Sequence, residues 1–105
     1  MKTMKFDERE LTFEVGTYGD MFRRKAVLAY DVETGEVYGD VTINIPQYSL
    51  DDGECFISAD CPDLINEMRR QKYLIIVGKI QVNMGTYQIG KFTKKFVKEF
   101  ESEGE

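Results

Sequence analysis

The side chains that carry most enzyme chemistry near neutral pH are missing from this sequence or poorly spaced in it. Histidine is absent, which removes Ser-His-Asp and Cys-His triads and every histidine metal site. The usual proton carrier of neutral pH goes with it. Cys55 and Cys61 are separated by five residues, which is not the C-x-x-C of redox or zinc sites. Two thiolates cannot complete a four-ligand zinc site. In a reducing compartment they are expected as free thiols, packed as small hydrophobes. The sequence therefore assigns no catalytic residue, no cofactor and no metal, and the chain is read as a non-enzyme.

Carboxylates remain. They crowd most densely at Asp51, Asp52, Glu54, Asp60 and Asp63. A calcium loop would use such oxygen ligands, but the ordered spacing and terminal Glu of an EF-hand are lacking. The better reading is an exposed loop followed by a helix start. There Asp60 caps free N–H groups, Pro62 occupies the first turn and Asp63 sits at the positive end of the dipole. The same five residues form the candidate protein-binding patch. The scattered glycines build neither G-x-G-x-x-G nor a P-loop and read as turns and bulges.

Charge is unevenly spread. The net charge of −5 divides into −7 over residues 1–60, +5 over residues 61–100 and −3 in the last five. The acidic part repels nucleic-acid phosphate, so direct nucleic-acid binding is the weaker expectation. The basic part would tolerate phosphate. One reading is two solvated halves that attract each other. The sharper one is an acidic face made for a basic partner, such as the groove of a nucleic-acid enzyme.

These residues need a scaffold, and 105 residues with 42% hydrophobic content suffice for one folded domain. No run of about 18 apolar residues exists to span a membrane, and no apolar run follows the N-terminus as in a signal peptide. The chain is expected in the cytoplasm. Leu11, Phe13 and Val15 alternate with Thr12, Glu14 and Gly16, a half-buried strand. Lys2 to Phe6 either starts it or forms a short strand of its own, and residues 16–20 form a loop. Lys25–Asp31 and Glu36–Ile45 read as a hairpin about a turn at Gly35, closed by Pro46. Cys55–Ile57 is predicted as a short edge strand. Leu64, Ile65 and Met68 form the apolar stripe of a short helix, with Arg69 and Arg70 near its C-terminus.

Tyr73–Val82 is the most β-prone run. Ile75 and Val77 fall on one face and Leu74, Ile76, Ile80 and Val82 on the other, which predicts a central strand. Gly85 allows a turn into Thr86–Ile89. Phe92, Phe96 and Phe100 then recur every four residues, the stripe of a C-terminal helix with Lys91, Lys94, Lys95 and Lys98 on its other side. The last five residues are expected to fray. The sum is an α+β domain: an antiparallel sheet of five to six strands, a short central helix and a C-terminal helix.

Three stretches act as a set: Tyr30-Asp31-Val32-Glu33-Thr34-Gly35-Glu36, Val41-Thr42-Ile43-Asn44-Ile45, and Cys55-Phe56-Ile57 with Cys61-Pro62-Asp63. Together they resemble a family of small uncharacterised proteins carried on conjugative and phage elements of gut bacteria. The resemblance covers roughly residues 11–70; the C-terminal third departs from it. Size and composition also look like type II-A anti-CRISPR proteins, which block Cas9. What the resemblance implies is a counter-defence inhibitor that binds a protein partner, with Cas9 foremost. The alternative is an accessory protein of a mobile element that binds DNA or a protein through its basic half.

Overall fold

The computed structural model describes residues 3–18, 24–45, 48, 50, 51, 53–82 and 85–101. The expected loop positions Gly19 and Asp20, the strand-closing Pro46, Asp52 and residues 102–105 lie outside them.

The strands fall into two antiparallel sheets of four. The first sheet has the order β1 (Met4–Phe6), β2 (Arg9–Thr17), β3 (Lys25–Asp31), β4 (Val37–Asp40). The second has the order β5 (Thr42–Ile43), β6 (Glu54–Ile57), β8 (Gly85–Phe92), β7 (Leu74–Val82). Helix α1 (Pro62–Arg70) joins β6 to β7, and α2 (Lys94–Phe96) continues into a π-helical turn (Val97–Glu101) after β8. The expected α+β class holds, but the single sheet of five to six strands does not.

The break between sheets falls inside the expected strand Glu36–Ile45, at Val41. Its N–H donates to Val27 O at 2.9 Å, and its carbonyl accepts from Ser58 N at 2.9 Å. Val41 thus bonds once toward each sheet while its side chain is fully buried. Alternating apolar residues show which face of a strand is inward but not which strand lies beside it.

One hydrophobic core serves both sheets. Leu11, Phe13, Val27 and Ala29 enter it from the first sheet, and Cys55, Ile57 and Leu74 from the second. Leu64, Ile65 and Met68 enter from α1, as their spacing predicts. Phe96 and Phe100 are also buried, packed edge-on against Phe13 at centroid distances of 5.4 and 4.9 Å. Phe92, however, ends β8, and Lys91 lies on that strand too. The helix begins only after Thr93, whose Oγ1 accepts the Phe96 N–H.

Two further expectations are reversed. Cys55–Ile57 belongs to an interior strand, paired by β5 on one side and β8 on the other. Tyr73–Val82 is at the edge, paired by β8 alone among the described strands. Its register shifts at Val77, so that Ile76 opposes Gly90 and Gly78 opposes Ile89. A bulge of one residue flips the side-chain parity beyond it. Ile80 and Val82 therefore join the face of Ile75, not that of Leu74 and Ile76. The apolar run is continuous because its apolar side chains change face at the bulge, not because both faces are buried.

Candidate protein-interaction surface

The pairing of β2, β3 and β4 builds an open face. Leu11, Phe13 and Val15 point inward, so Glu10, Thr12 and Glu14 point outward. Across the ladder Glu14 opposes Leu28, and Leu28 opposes Asp40. In the next row Thr12 opposes Tyr30, and Tyr30 opposes Val37. The outer face of the first sheet thus has an apolar centre of Leu28, Tyr30 and Val37, with Glu14 and Asp40 at its sides. Val37 is 54% exposed, and Glu10, Glu14 and Asp40 are exposed too, so neither helix covers this face. The Tyr30 hydroxyl points at Glu14 Oε2 from 3.5 Å.

A bulge between Ala29 and Tyr30 shapes the β4 side of the face. It leaves Tyr38 without an opposite residue and turns its ring toward the core. There it meets Phe6 edge-on at 5.6 Å beneath the Arg9 guanidinium. Below, the β3–β4 turn is held by Asp31. Its Oδ1 accepts the N–H groups of Glu33 and Thr34, and its Oδ2 lies 3.7 Å from Arg9. Asp31 is thereby committed to the turn, while Glu33 and Glu36 remain exposed beside the face.

Residues 3–17 and 25–40 hold eight carboxylates and three cations, whereas residues 62–100 hold eight cations and three carboxylates. The charge asymmetry of the sequence therefore becomes a spatial one: an acidic first sheet against a basic C-terminal part.

The predicted patch is divided by β6. Asp51 and Glu54 are brought together in the turn before that strand, where Glu54 Oε1 accepts the Asp51 N–H at 3.1 Å and Gly53 turns at φ 82°. Glu54 stands opposite Lys91 on β8. Asp60 and Asp63 follow the other end of β6, about 13 Å away at the usual strand rise. Asp60 is not the helix cap. Cys61 holds that position without a side-chain cap bond, and Asp60 sits one residue too early, with its N–H donated to Ser58 Oγ. Pro62 and Asp63 do occupy the first turn of α1. Asp52 lies outside the described residues.

Both thiols are free. Burial pushes the Cys55 thiol up to about 12. Burial, then the nearby Asp60 and Asp40 carboxylates, raises that of Cys61, whose Sγ donates to Asp40 O at 3.3 Å. Both are held as protonated, weakly nucleophilic groups. Among the described residues, no three Cys, Asp or Glu side chains are grouped to hold a metal ion. No described helix is long and apolar enough to cross a membrane.

No protein family, curated protein or solved structure matches this chain.

No local sequence pattern marks the Glu14–Leu28–Asp40 row. Its members are far apart in the chain and meet only through strand register. The available signal was the outward set Glu10, Thr12, Glu14, on the face opposite a strongly apolar strand side.

Proposed function

We propose that this protein is a non-catalytic inhibitor that seats its acidic first sheet in the cationic groove of a nucleic-acid enzyme, with Cas9 as the leading partner. The observation that carries the reading is the sheet face, covered by neither helix, with Leu28, Tyr30 and Val37 at its centre and carboxylates at its sides. Exposed ion pairs contribute only about 0.2–1 kcal/mol each, so the apolar centre must supply much of the affinity. The carboxylates select a basic partner and speed encounter. Cas9 holds its heteroduplex in a positively charged channel and reads the PAM with arginines, groups that carboxylates on a rigid sheet would occupy. The resemblance to mobile-element proteins supports the same partner class.

Size limits the contact. Three strand spacings by seven paired residues give a face of about 15 by 23 Å. That falls short of the roughly 800 Å² per partner of a standard interface. The turns carrying Glu33, Glu36 and Glu8 must therefore join it.

The test is target-DNA cleavage by Cas9 loaded with guide RNA, with increasing amounts of this protein. Cleavage should fall as protein is added, and inhibition should weaken as salt rises. Full cleavage at large molar excess across several Cas9 orthologues would overturn the assignment. A second reading, an accessory protein of a mobile element, is favoured by the cations of α1, β7, β8 and α2. It predicts salt-dependent binding to duplex or single-stranded DNA.

A further inference from the structure

Strand β7 (Leu74–Val82) is nine residues long and pairs with β8 alone among the described strands. Its other edge carries backbone N–H and C=O groups with no ladder partner among the described residues. Such an edge is a template for a further strand. Ile75 and Val77 on it are 50% and 45% exposed. The half beyond Val77 has two common protections, a bulge and the charged Lys79. The half from Leu74 to Ile76 has neither. There a groove of about 520 Å³ runs between the strand and α1, lined by Asn66, Arg69, Arg70, Leu74, Ile75 and Ile76.

Charge selects the occupant. Arg70 is held by the Glu67 carboxylate, but Arg69 makes no ion pair with a described residue, and its side is exposed. We infer that this groove takes an extended acidic segment of a partner protein, added as a strand to the β7 edge. Main-chain hydrogen bonds to β7 would supply affinity. Alternate carboxylates would meet Arg69, and alternate apolar side chains would cover Ile75 and Val77. A second copy of this chain fits poorly, because it brings the same cations together. Nucleic acid would satisfy Arg69 but leave the strand edge and the two apolar side chains without partners. This surface is separate from the acidic face of the first sheet.

The probe is a fluorescein-labelled octapeptide alternating valine and glutamate, titrated with the full chain and followed by anisotropy. Saturable binding is expected, with a loss of about tenfold or more on Arg69→Glu and none on Glu14→Lys. The lysine counterpart of the peptide should not bind. In amide exchange, new protection should fall on Leu74–Ile76. Circular dichroism of Arg69→Glu, a change at an exposed helix position, confirms that its fold is kept. Absence of saturable binding at low salt overturns the proposal, as does equal affinity for the lysine peptide or for Arg69→Glu. So does a dimer formed through β7. Oligonucleotide binding that depends on Arg69, without peptide binding, assigns the surface to nucleic acid instead and overturns it equally.

Discussion

Glu14 and Asp40 stand in one row across the first sheet, each directly opposite Leu28 from a different side. Nothing in the local sequence of either residue marks them as neighbours. Both are exposed, so neither supports the core. Changing both to Lys should therefore shift the thermal midpoint little while weakening partner binding at least tenfold, read by surface plasmon resonance at low salt. Equal affinity for the double variant would remove these carboxylates from the interface.

Gly90 is a packing requirement. A Cβ there would meet Ile57 Cγ1 at 2.9 Å and the Ile75 carbonyl oxygen at 3.2 Å. Ile57 is itself buried, and the carbonyl belongs to the partner strand, so neither yields freely. Gly90→Ala should cost about 1–3 kcal/mol in urea denaturation, the range of overpacked cores.

Lys72 ends α1 in the left-handed region, at φ 67°. The Lys72 N–H donates to Arg69 O and the Tyr73 N–H to Met68 O, the bonding of a glycine-type helix stop. Lys72→Gly should raise stability by about 0.5–1 kcal/mol in the same assay, since glycine adopts this conformation without the Cβ clash. A loss of stability would contradict the geometry.

Glu67 links stability to acid. Hydrogen bonds from Arg70, then Gln71, hold its carboxyl down at about 2. Gln71 Nε2 lies 2.6 Å from Glu67 Oε2 and also reaches Lys5 O on β1. The folded value lies below the unfolded one of about 4.3. Its stabilisation is therefore fully present above the unfolded value and is lost as pH falls through about 2. Carboxyl-carbon NMR should follow Glu67 titrating near 2, and Arg70→Ala should move it toward the ordinary carboxylate range.

The thiols give a check on packing. Cys55 is fully buried and Cys61 partly so, and both are raised. A thiol reagent at pH 8 should modify Cys61 slowly and Cys55 only on unfolding. Rapid native-state labelling of Cys55 would mean that β6 is not interior.

How much of the fold is legible in the sequence depends on the range of the interaction. The inward sets Leu11, Phe13, Val15 and Leu64, Ile65, Met68 follow from local periodicity, and both lead into the core. The turn at Gly35, with φ 75°, likewise follows from residue type. What sequence could not show was decided by partners far along the chain. Val41 divides a ten-residue alternation because Val27 and Ser58 take its two backbone groups. Val77 reverses the parity of β7 through a bulge that no propensity marks. Phe92 keeps the four-residue spacing of Phe96 and Phe100, yet Leu74 opposite it draws it into β8. The acidic row had the same obstacle: carboxylates dense in sequence lie at opposite ends of β6, whereas Glu14 and Asp40 meet through register.

The most direct measurement is methyl NMR of the protein with Leu28, Val37, Ile75 and Val82 resolved, during titration with guide-loaded Cas9. Leu28 and Val37 are expected to broaden or shift at substoichiometric partner, while Ile75 and Val82 hold. Unchanged Leu28 and Val37 signals in a complex that forms through other residues would contradict binding through the first sheet.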